Sequence, residues 1–507
     1  MLQSRPFVMA VLGIDIGTGG SRAVIVDDAG RVLASSTQAH VPFDSPQTGW
    51  AEQDPADWWH AAQVAIRAVL TDGPVTSADV RAVGLSGQMH GAVLLDETGA
   101  IVRPAIIWCD QRTDAQCRRL TDQIGASRLI DLVSNPALTG FTLPKLLWVR
   151  EHEPARWDRV RTVLLPKDYV RWRLTGERAT DVADASGTLL FDVVHRRWSS
   201  AMLSEVGLDA ALLPSSHEGP MVTGVVTTRS ADATGLRAGT PVVAGGGDQA
   251  AGAVGMGVVS PGAVSATIGS SGVVFAATDR PALDPRGRVH TFCHAVPGRW
   301  HVMGVTQGAG LSLRWLRDTF GVGRGLSNAS GDSYDQLCDE AAQAPPGADG
   351  VMWAPYLMGE RTPHLDPHAR AALVGLSASH TRAHVTRAVL EGVAFSLRDT
   401  FTIFEEMGVP TTRIRLGGGG ARSALWRQIQ ADVYGHDVEW LEAEEGAAYG
   451  AALLAGVGVG QWATVEEACD CVVRVAETVT PVASAAAILH THYDRFRTLY
   501  AALHPAS

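Results

Sequence analysis

Two aspartates, each set among glycines and far apart in the chain, constrain this sequence more than any other feature. The first opens Asp15-Ile16-Gly17-Thr18-Gly19-Gly20-Ser21-Arg22, between two apolar runs. The second follows the glycines of Gly245-Gly246-Gly247-Asp248-Gln249, after the strand-like Pro241-Val242-Val243-Ala244 and before an alanine-rich stretch that reaches Met256. Glycine has no Cβ, so the backbone at such places can approach a ligand closely. A carboxylate held there can take a proton from a hydroxyl. Together the two motifs imply phosphoryl transfer to a small polyol or sugar.

The pattern around them is that of paired strands. Val8 to Ile16 is apolar, Gly17 to Ser21 is a turn, and Arg22 to Val26 is apolar again. After the turn Asp27-Asp28-Ala29-Gly30, a third strand runs from Arg31 to Ser35. This predicts a β-meander with a phosphate-sized glycine turn, not the strand–helix start of a dinucleotide fold. Trp58 to Leu70 has helical spacing, and Val80 to Leu85 reads as a buried strand ending at Ser86-Gly87-Gln88-Met89-His90-Gly91. Ala92 to Asp96 with the turn Glu97-Thr98-Gly99-Ala100 looks like a hairpin.

About half a chain further on, Ile268-Gly269-Ser270-Ser271-Gly272 echoes Ile16-Gly17-Thr18-Gly19-Gly20. Two similar α/β lobes, each offering a glycine hairpin to a shared cleft, would produce that echo. A third loop, Gly417-Gly418-Gly419-Gly420, follows the strand-like Arg413 to Leu416 and precedes a helical stretch from Ser423 to Tyr434. N–H groups at a helix start suit phosphate or nucleotide contact. The lobe boundary is placed near residue 255, giving lobes over 1–255 and 256–507.

Composition removes several other classes. At 507 residues and 46% hydrophobic, the chain can bury large cores and form two or more domains. A net charge of −11 argues against a nucleic-acid partner. Lysine occurs only at Lys145 and Lys167, so no Gly-Lys pair exists and a P-loop is excluded. An ATP site must cradle phosphate another way. Cys109, Cys117, Cys293, Cys338, Cys469 and Cys471 form no C-x-x-C pair and fit reduced thiols. Asp15 interrupts the apolar run from Phe7 to Ile14, and no other stretch approaches the ~20 apolar residues of a membrane span. The reading is a cytoplasmic protein with no membrane partner.

The motif series resembles the FGGY carbohydrate kinases over nearly the whole chain. In order it comprises Asp15-Ile16-Gly17-Thr18, Trp50-Ala51-Glu52-Gln53-Asp54-Pro55, Gly84-Leu85-Ser86-Gly87-Gln88-Met89-His90-Gly91 and the stretch from Asp181 to Asp192. Gly246-Gly247-Asp248, Gly359-Glu360-Arg361-Thr362-Pro363 and the Gly417 to Gly420 loop complete it. The resemblance implies an α/β fold of two actin-like (ribonuclease H-like) lobes around a central cleft, within the sugar kinase, actin and heat-shock ATPase superfamily. Sugar would lie deep in the cleft, with ATP mainly on the C-terminal lobe. Gln88-Met89-His90-Gly91 is similar to the branch that phosphorylates ketopentoses, which implies conversion of D-xylulose to D-xylulose 5-phosphate. That branch usually carries Asn after the catalytic Asp, where this chain has Gln249.

The resemblance also implies roles. Asp248 would be the general base and Asp15 its catalytic partner, holding Mg²⁺ directly or through water. Met89, His90, Asp248 and Gln249 would bind sugar. Gly17, Thr18 and Arg22, then Gly269 and Ser270, would meet the phosphates of ATP, with Gly310, Gly418, Gly419 and Ser423 on the nucleotide side. Glu360 and Arg361 would form a structural ion pair at the cleft, and Trp108, Trp315 and Trp353 would be core or cleft-wall aromatics. Local sequence alone favours Asp248 as a helix N-cap, and Asp15 could also be a turn-initiating residue. A homodimer is expected from the resemblance. Two further readings stay open: a kinase of another ketose, polyol or deoxy sugar, which Gln249 motivates, and a non-catalytic sugar or nucleotide sensor on the same fold.

Overall fold

The computed structural model describes residues 9–320, 333–442 and 446–504. Its first strand, β1 (Ala10–Ile16), is apolar at nearly every position because helices cover both faces of its sheet, so no side faces water. β2 (Gly20–Asp27) pairs antiparallel with β1, and β3 (Val32–Ala39) antiparallel with β2, which is the predicted meander. The other edge of β1 pairs in parallel with β4 (Val80–Gly87). Beyond β4, β5 (Val222–Val225) lies antiparallel to β6 (Pro241–Val243), which runs parallel to β4. A short β7 (Gly246–Gly247) also pairs in parallel with β4. In this register Asp15 lies opposite Ser86, and Ser86 lies opposite Gly246. The parallel ladder therefore brings the ends of β1, β4 and β7 to one rim.

The second sheet repeats this plan. β8 (Gly262–Ile268) pairs antiparallel with β9 (Gly272–Thr278) across the second glycine turn. β10 (His290–Cys293) and β11 (Trp300–Thr306) extend that antiparallel side. The other edge of β8 runs parallel to β12 (Thr411–Gly417), followed by β13 (Val438–Leu441) and β14 (Val475–Val479). β8, β9 and β12 thus stand to one another as β1, β2 and β4 do. The sequence echo between the two glycine turns is a repeat of topology.

Helices cover the sheets where their small and apolar residues face inward. In α1 (Pro55–Asp72), the Asp54 side chain caps the start by accepting from the Ala56 N–H at 2.9 Å, and Pro55 occupies the first turn. The helix buries Trp58, Trp59, Ala62, Ile66 and Val69 against the meander side. α2 (Pro166–Thr175) and α3 (Val182–Ser186) follow, and α4 (Asp248–Gly255) starts directly after β7. The C-terminal half supplies α5 (Gly310–Thr319), α6 (Arg382–Glu406), α7 (Ala424–Tyr434) and α8 (Gly446–Gly458).

α8 crosses over to the first sheet. It packs on β1, β4 and α4 through backbone contact that only glycine permits. A Cβ on Gly13 would fall 1.8 Å from the Ala448 carbonyl oxygen, and one on Gly84 would fall 1.9 Å from that of Ala451. A Cβ on Gly450 would fall 1.7 Å from the Ala251 oxygen in α4. A second bridge is apolar: Met89, Phe141 and Leu146 share one buried cluster with Phe275, Phe292 and Met303.

The hairpin after Ala92 to Asp96 closes as read, with Asp96 N–H bonded to Ala100 O at 3.0 Å and Leu95 bridged antiparallel to Ile101. On its other edge Val93–Leu95 pairs antiparallel with Thr162–Leu164. Among the described residues, no helix is long and apolar enough to cross a membrane.

Candidate active site

Asp15 ends β1 at the rim, where the strand stops for the glycine turn. The turn is closed by Gly17 N–H donating to Gly20 O at 3.0 Å. Oδ1 of Asp15 is buried and has no hydrogen-bond partner among the described residues. Burial pushes its carboxyl up to about 6, against the opposing charge of Arg22. Arg22 itself points its guanidinium at Ser35 Oγ, with Nε at 3.3 Å and Nη2 at 3.1 Å. The Thr18 hydroxyl accepts from Trp108 Nε1 at 2.9 Å and donates to Gln88 Oε1 at 3.4 Å. The Thr18 side chain is therefore engaged in shaping the turn, and Trp108 is a structural wall of it.

Asp248 is the first residue of α4, and Gly247 stands at the cap position. The Asp248 side chain makes no capping bond, so the N-cap reading is not what the fold adopts. Asp248 and Gln249 are both half-buried. Burial raises the Asp248 carboxyl to about 7, and the charge of Asp15 raises it further, while Gln249 beside it opposes the rise. A carboxyl at the end of β1 and one at the start of α4 thus lie within electrostatic reach at the rim.

The Gln88 to Gly91 loop is held beneath this pair. A Cβ on Gly247 would fall 2.8 Å from Met89 Cγ and 3.4 Å from Asp184 Oδ1. His90 adopts a left-handed backbone, with φ at 70°. Its carbonyl accepts from Lys145 Nζ at 2.9 Å and Thr142 Oγ1 at 3.1 Å. Its ring Nδ1 lies 2.6 Å from the Gly187 carbonyl. A carbonyl can only accept, so Nδ1 carries the proton and Nε2 is left as an acceptor. Burial and then the Lys145 charge hold the ring well below its usual pKa, which keeps it neutral. Gly187 is required beneath it, since a Cβ there would sit 2.6 Å from the ring.

Behind the loop lies a charge cluster that sequence reasoning did not find. Lys167 Nζ is fully buried, 2.5 Å from Asp168, 2.7 Å from Asp181 and 3.7 Å from Asp184. Burial alone would lower the lysine pKa, but the three carboxylates outweigh it and raise it. Burial drives Asp184 far above the ordinary carboxylate range, and among the described residues neither of its oxygens has a hydrogen-bond partner. The stretch from Asp181 to Asp192 signalled the place without signalling this role.

The second set of predicted residues meets elsewhere. Gly269, Ser270, Gly310, Gly419, Ser423 and Trp426 line a cavity of about 320 Å³ on the second sheet. The start of α5 is bonded to the hairpin, Gly310 N–H to Gly269 O at 2.8 Å and Leu311 N–H to Ser270 O at 3.1 Å. Gly418 (φ 73°) turns the third loop against Ile268, whose carbonyl oxygen would lie 2.5 Å from a Cβ there. The Ser423 side chain caps α7, accepting from Trp426 N–H at 3.3 Å. Trp315 and Trp353 stack with ring centroids 5.2 Å apart, as wall and core.

Glu360 is not the expected ion-pair partner of the Arg361 side chain. Its carboxylate accepts from Thr306 Oγ1 at 2.6 Å, Gln307 N–H at 2.9 Å and the main-chain N–H of Arg361 at 2.8 Å. Burial, the leading influence, raises it to about 7.

An Mg²⁺ ion has one suitable ligand here. Among the described residues no group of three or more His, Cys, Asp or Glu side chains is placed to hold a metal. Magnesium commonly needs only one or two carboxylates beside water and phosphate oxygens. Oδ1 of Asp15, without a partner among the described residues and with its charge within reach of Asp248, fits that need.

Residues 10–255 match the N-terminal domain of the FGGY family of carbohydrate kinases, and residues 264–459 match its C-terminal domain. The chain is 40% identical over 495 residues to a xylulose kinase of Escherichia coli (strain K12), spanning 97% of this chain and 99% of that one. It is 38% identical over 490 residues to a xylulose kinase of Bacillus subtilis (strain 168), spanning 97% and 96%. The crystal structure of a xylulose kinase from Rhodospirillum rubrum superposes with a TM-score of 0.89 at 32% identity, covering 98% of this chain and 99% of that one.

Proposed function

We propose that this chain, which belongs to the FGGY family of carbohydrate kinases, transfers the γ-phosphoryl group of ATP to D-xylulose, giving D-xylulose 5-phosphate and ADP. The observation that carries the reading is Asp248, a half-buried carboxyl at the rim that makes no capping bond, beside the Met89–His90 loop and within reach of the Asp15 charge. The similarity to xylulose kinases over nearly the whole chain supports the choice of sugar.

The terminal hydroxyl of the sugar is a weak nucleophile until its proton has somewhere to go. Asp248 accepts that proton as the oxygen attacks the γ-phosphorus and the bond to ADP breaks. A carboxyl near 7 is a stronger base than an ordinary aspartate, yet it is still ionised in a large part of the population at neutral pH. His90 Nε2 accepts from a second hydroxyl, and Met89 supports the apolar edge of the carbon chain. Asp15 would hold Mg²⁺, which when bound neutralises charge on the β- and γ-phosphates. Gly17 and the Gly269–Ser270 turn approach the phosphates, and the cavity bounded by Gly310, Gly419 and Ser423 takes the adenosine. On this account 1–255 supplies the sugar-binding groups and 256–507 the ATP-binding groups, with α8 coupling the two.

Gln249 favours a second reading, in which the same chemistry serves another ketose or a polyol. The test is ADP release with Mg-ATP against D-xylulose, D-ribulose, L-xylulose, D-fructose, xylitol, glycerol and D-gluconate. A dominant kcat/KM for D-xylulose is expected. Preference for another member would keep the mechanism and overturn the substrate.

A further inference from the structure

Resting on the reading of a ketopentose substrate, the geometry points to Arg361 as a specificity-determining residue that recognises the ketone end of the sugar across the cleft. Arg361 belongs to the second half of the chain. Its loop is fixed to the second sheet, because Thr362 N–H donates to Val305 O at 3.0 Å and Thr362 Oγ1 donates to Arg288 O at 2.8 Å. The neighbouring Glu360 is fixed by Thr306, Gln307 and Ser396. With the main chain held, the guanidinium reaches the first half. One of its terminal nitrogens lies 3.4 Å from where a Cβ on Gly140 would stand, and the Trp108 carbonyl oxygen lies 3.2 Å from the same point.

The guanidinium is half-buried and, among the described residues, has no hydrogen bond and no ion pair. Its charge reaches His90, Lys145 and His290 and disfavours protonation of each. Lys145, the other cation here, donates to the carbonyls of His90 and Gly140, at 2.9 Å and 2.7 Å. A half-buried guanidinium whose donors are idle, and whose pKa burial lowers, is open to an acceptor in the cleft.

The order of contacts says what that acceptor is. Gly247, next to Asp248, abuts Met89; Met89 and His90 both abut Gly187; His90 packs on Phe141 at 5.0 Å, and Phe141 on His290 at 5.6 Å. Arg361, with a guanidinium nitrogen beside Gly140 and its charge acting on His290 and His90, stands by the Phe141 and His290 side of this series. A sugar whose terminal hydroxyl reacts at Asp248 places its other end there, which in a 2-ketose is the carbonyl and its neighbouring hydroxyl. Asp248 and His90 Nε2 are acceptors and suit hydroxyls. A ketone oxygen has no proton to give and needs a donor, which Arg361 supplies. A polyol of equal length offers a hydroxyl in that place and gains less from a donor-only partner.

The test compares Arg361→Met and Arg361→Lys with the wild type, using D-xylulose and xylitol, the latter as a competitive inhibitor where its turnover is too slow. Thermal unfolding and sugar-independent ATP hydrolysis report whether each variant keeps its fold and its ATP site. Loss of a charge-assisted hydrogen bond predicts a drop in kcat/KM for D-xylulose of about 10- to 100-fold in Arg361→Met, carried mainly by KM. The xylitol constant is expected to change by less than about threefold, so that the ketose-to-polyol preference collapses, with partial recovery in Arg361→Lys. An equal fall for both sugars, or an unchanged preference, overturns the inference. A wild type silent on D-xylulose overturns the substrate reading and this inference with it, and that is seen before any variant is made.

Discussion

Asp15, at the end of β1, acts electrostatically on Asp248, at the start of α4, and its charge is one of the causes that hold the Asp248 carboxyl near 7. The register explains the meeting. Asp15 lies opposite Ser86 on one side of β4, Gly246 lies opposite Ser86 on the other, and Asp248 follows directly after β7. Two like charges in a partly buried rim are poorly stable unless a proton or a cation accompanies them. That is the electrostatic condition a base awaiting a substrate proton requires.

The pH dependence of turnover follows from this pair. Asp248 must be ionised to accept the proton, so kcat/KM is expected to fall as pH drops through about 7. Asp15, raised to about 6, adds a second protonation and a steeper slope below that value. A divalent cation at Asp15 would lower the pKa of both groups, so raising Mg²⁺ should move the acid limb to lower pH. A profile that stays flat from pH ~8 down to ~5 would contradict the assignment of Asp248 as base.

The cluster behind the sugar loop predicts two opposite mutational effects. Lys167→Met leaves three buried carboxyl groups without their cation and is expected to cost about 3–5 kcal/mol in stability. Asp184→Asn removes an acid that burial already disfavours in its charged form and whose oxygens are unbonded. Its expected cost is below about 1 kcal/mol, or a slight gain. Urea unfolding midpoints distinguish the two, and equal losses would mean that Asp184 is a working partner of Lys167.

Nucleotide placement can be tested through a glycine that has room. A Cβ on Gly419 would come no closer than 4.0 Å to the Ile268 carbonyl oxygen, whereas one on Gly420 would strike the Ile268 side chain at 2.6 Å. Gly419→Leu should therefore leave the fold intact while projecting into the cavity. We expect KM for ATP to rise about tenfold or more with the sugar KM little changed. An unchanged ATP constant in a folded variant would place the nucleotide elsewhere.

Much of this was legible because the decisive motifs are local. A glycine turn between two apolar strands is a property of adjacent residues, so both hairpins, the meander, Asp15 and Asp248 could be read directly. The parts that escaped depend on packing between distant segments. Gly187 supports His90 from 97 residues away. The alanines and glycines of α8 drew no reading in the sequence, and the backbone contacts at Gly13 and Gly84 reveal that it lies on the first sheet. Nor does the sequence show that Trp108, 90 residues on, donates to the Thr18 hydroxyl. The Glu360–Arg361 pair looked like an ion pair because the charges are adjacent. In the fold, hydroxyl and main-chain donors satisfy the glutamate, and the arginine turns to the opposite lobe.

Asp248 also predicts a conflict between function and stability. Its folded pKa is raised above the unfolded value, so its share of stability is full below about 3.8 and is lost as pH rises through about 7. Asp248→Asn should accordingly stabilise the protein more at pH ~8 than at pH ~5, by on the order of 1–3 kcal/mol. Denaturant unfolding at the two pH values measures it, and a destabilised variant at the higher pH would contradict the raised pKa.

The most direct measurement of the central claim is D-xylulose-dependent ADP release by Asp248→Asn, paired with a calorimetric titration of Mg-ATP. The account predicts turnover lower by about 10²- to 10⁴-fold or beyond detection, with nucleotide affinity within roughly threefold of wild type. Turnover close to wild type would contradict the claim that Asp248 accepts the proton of the sugar hydroxyl.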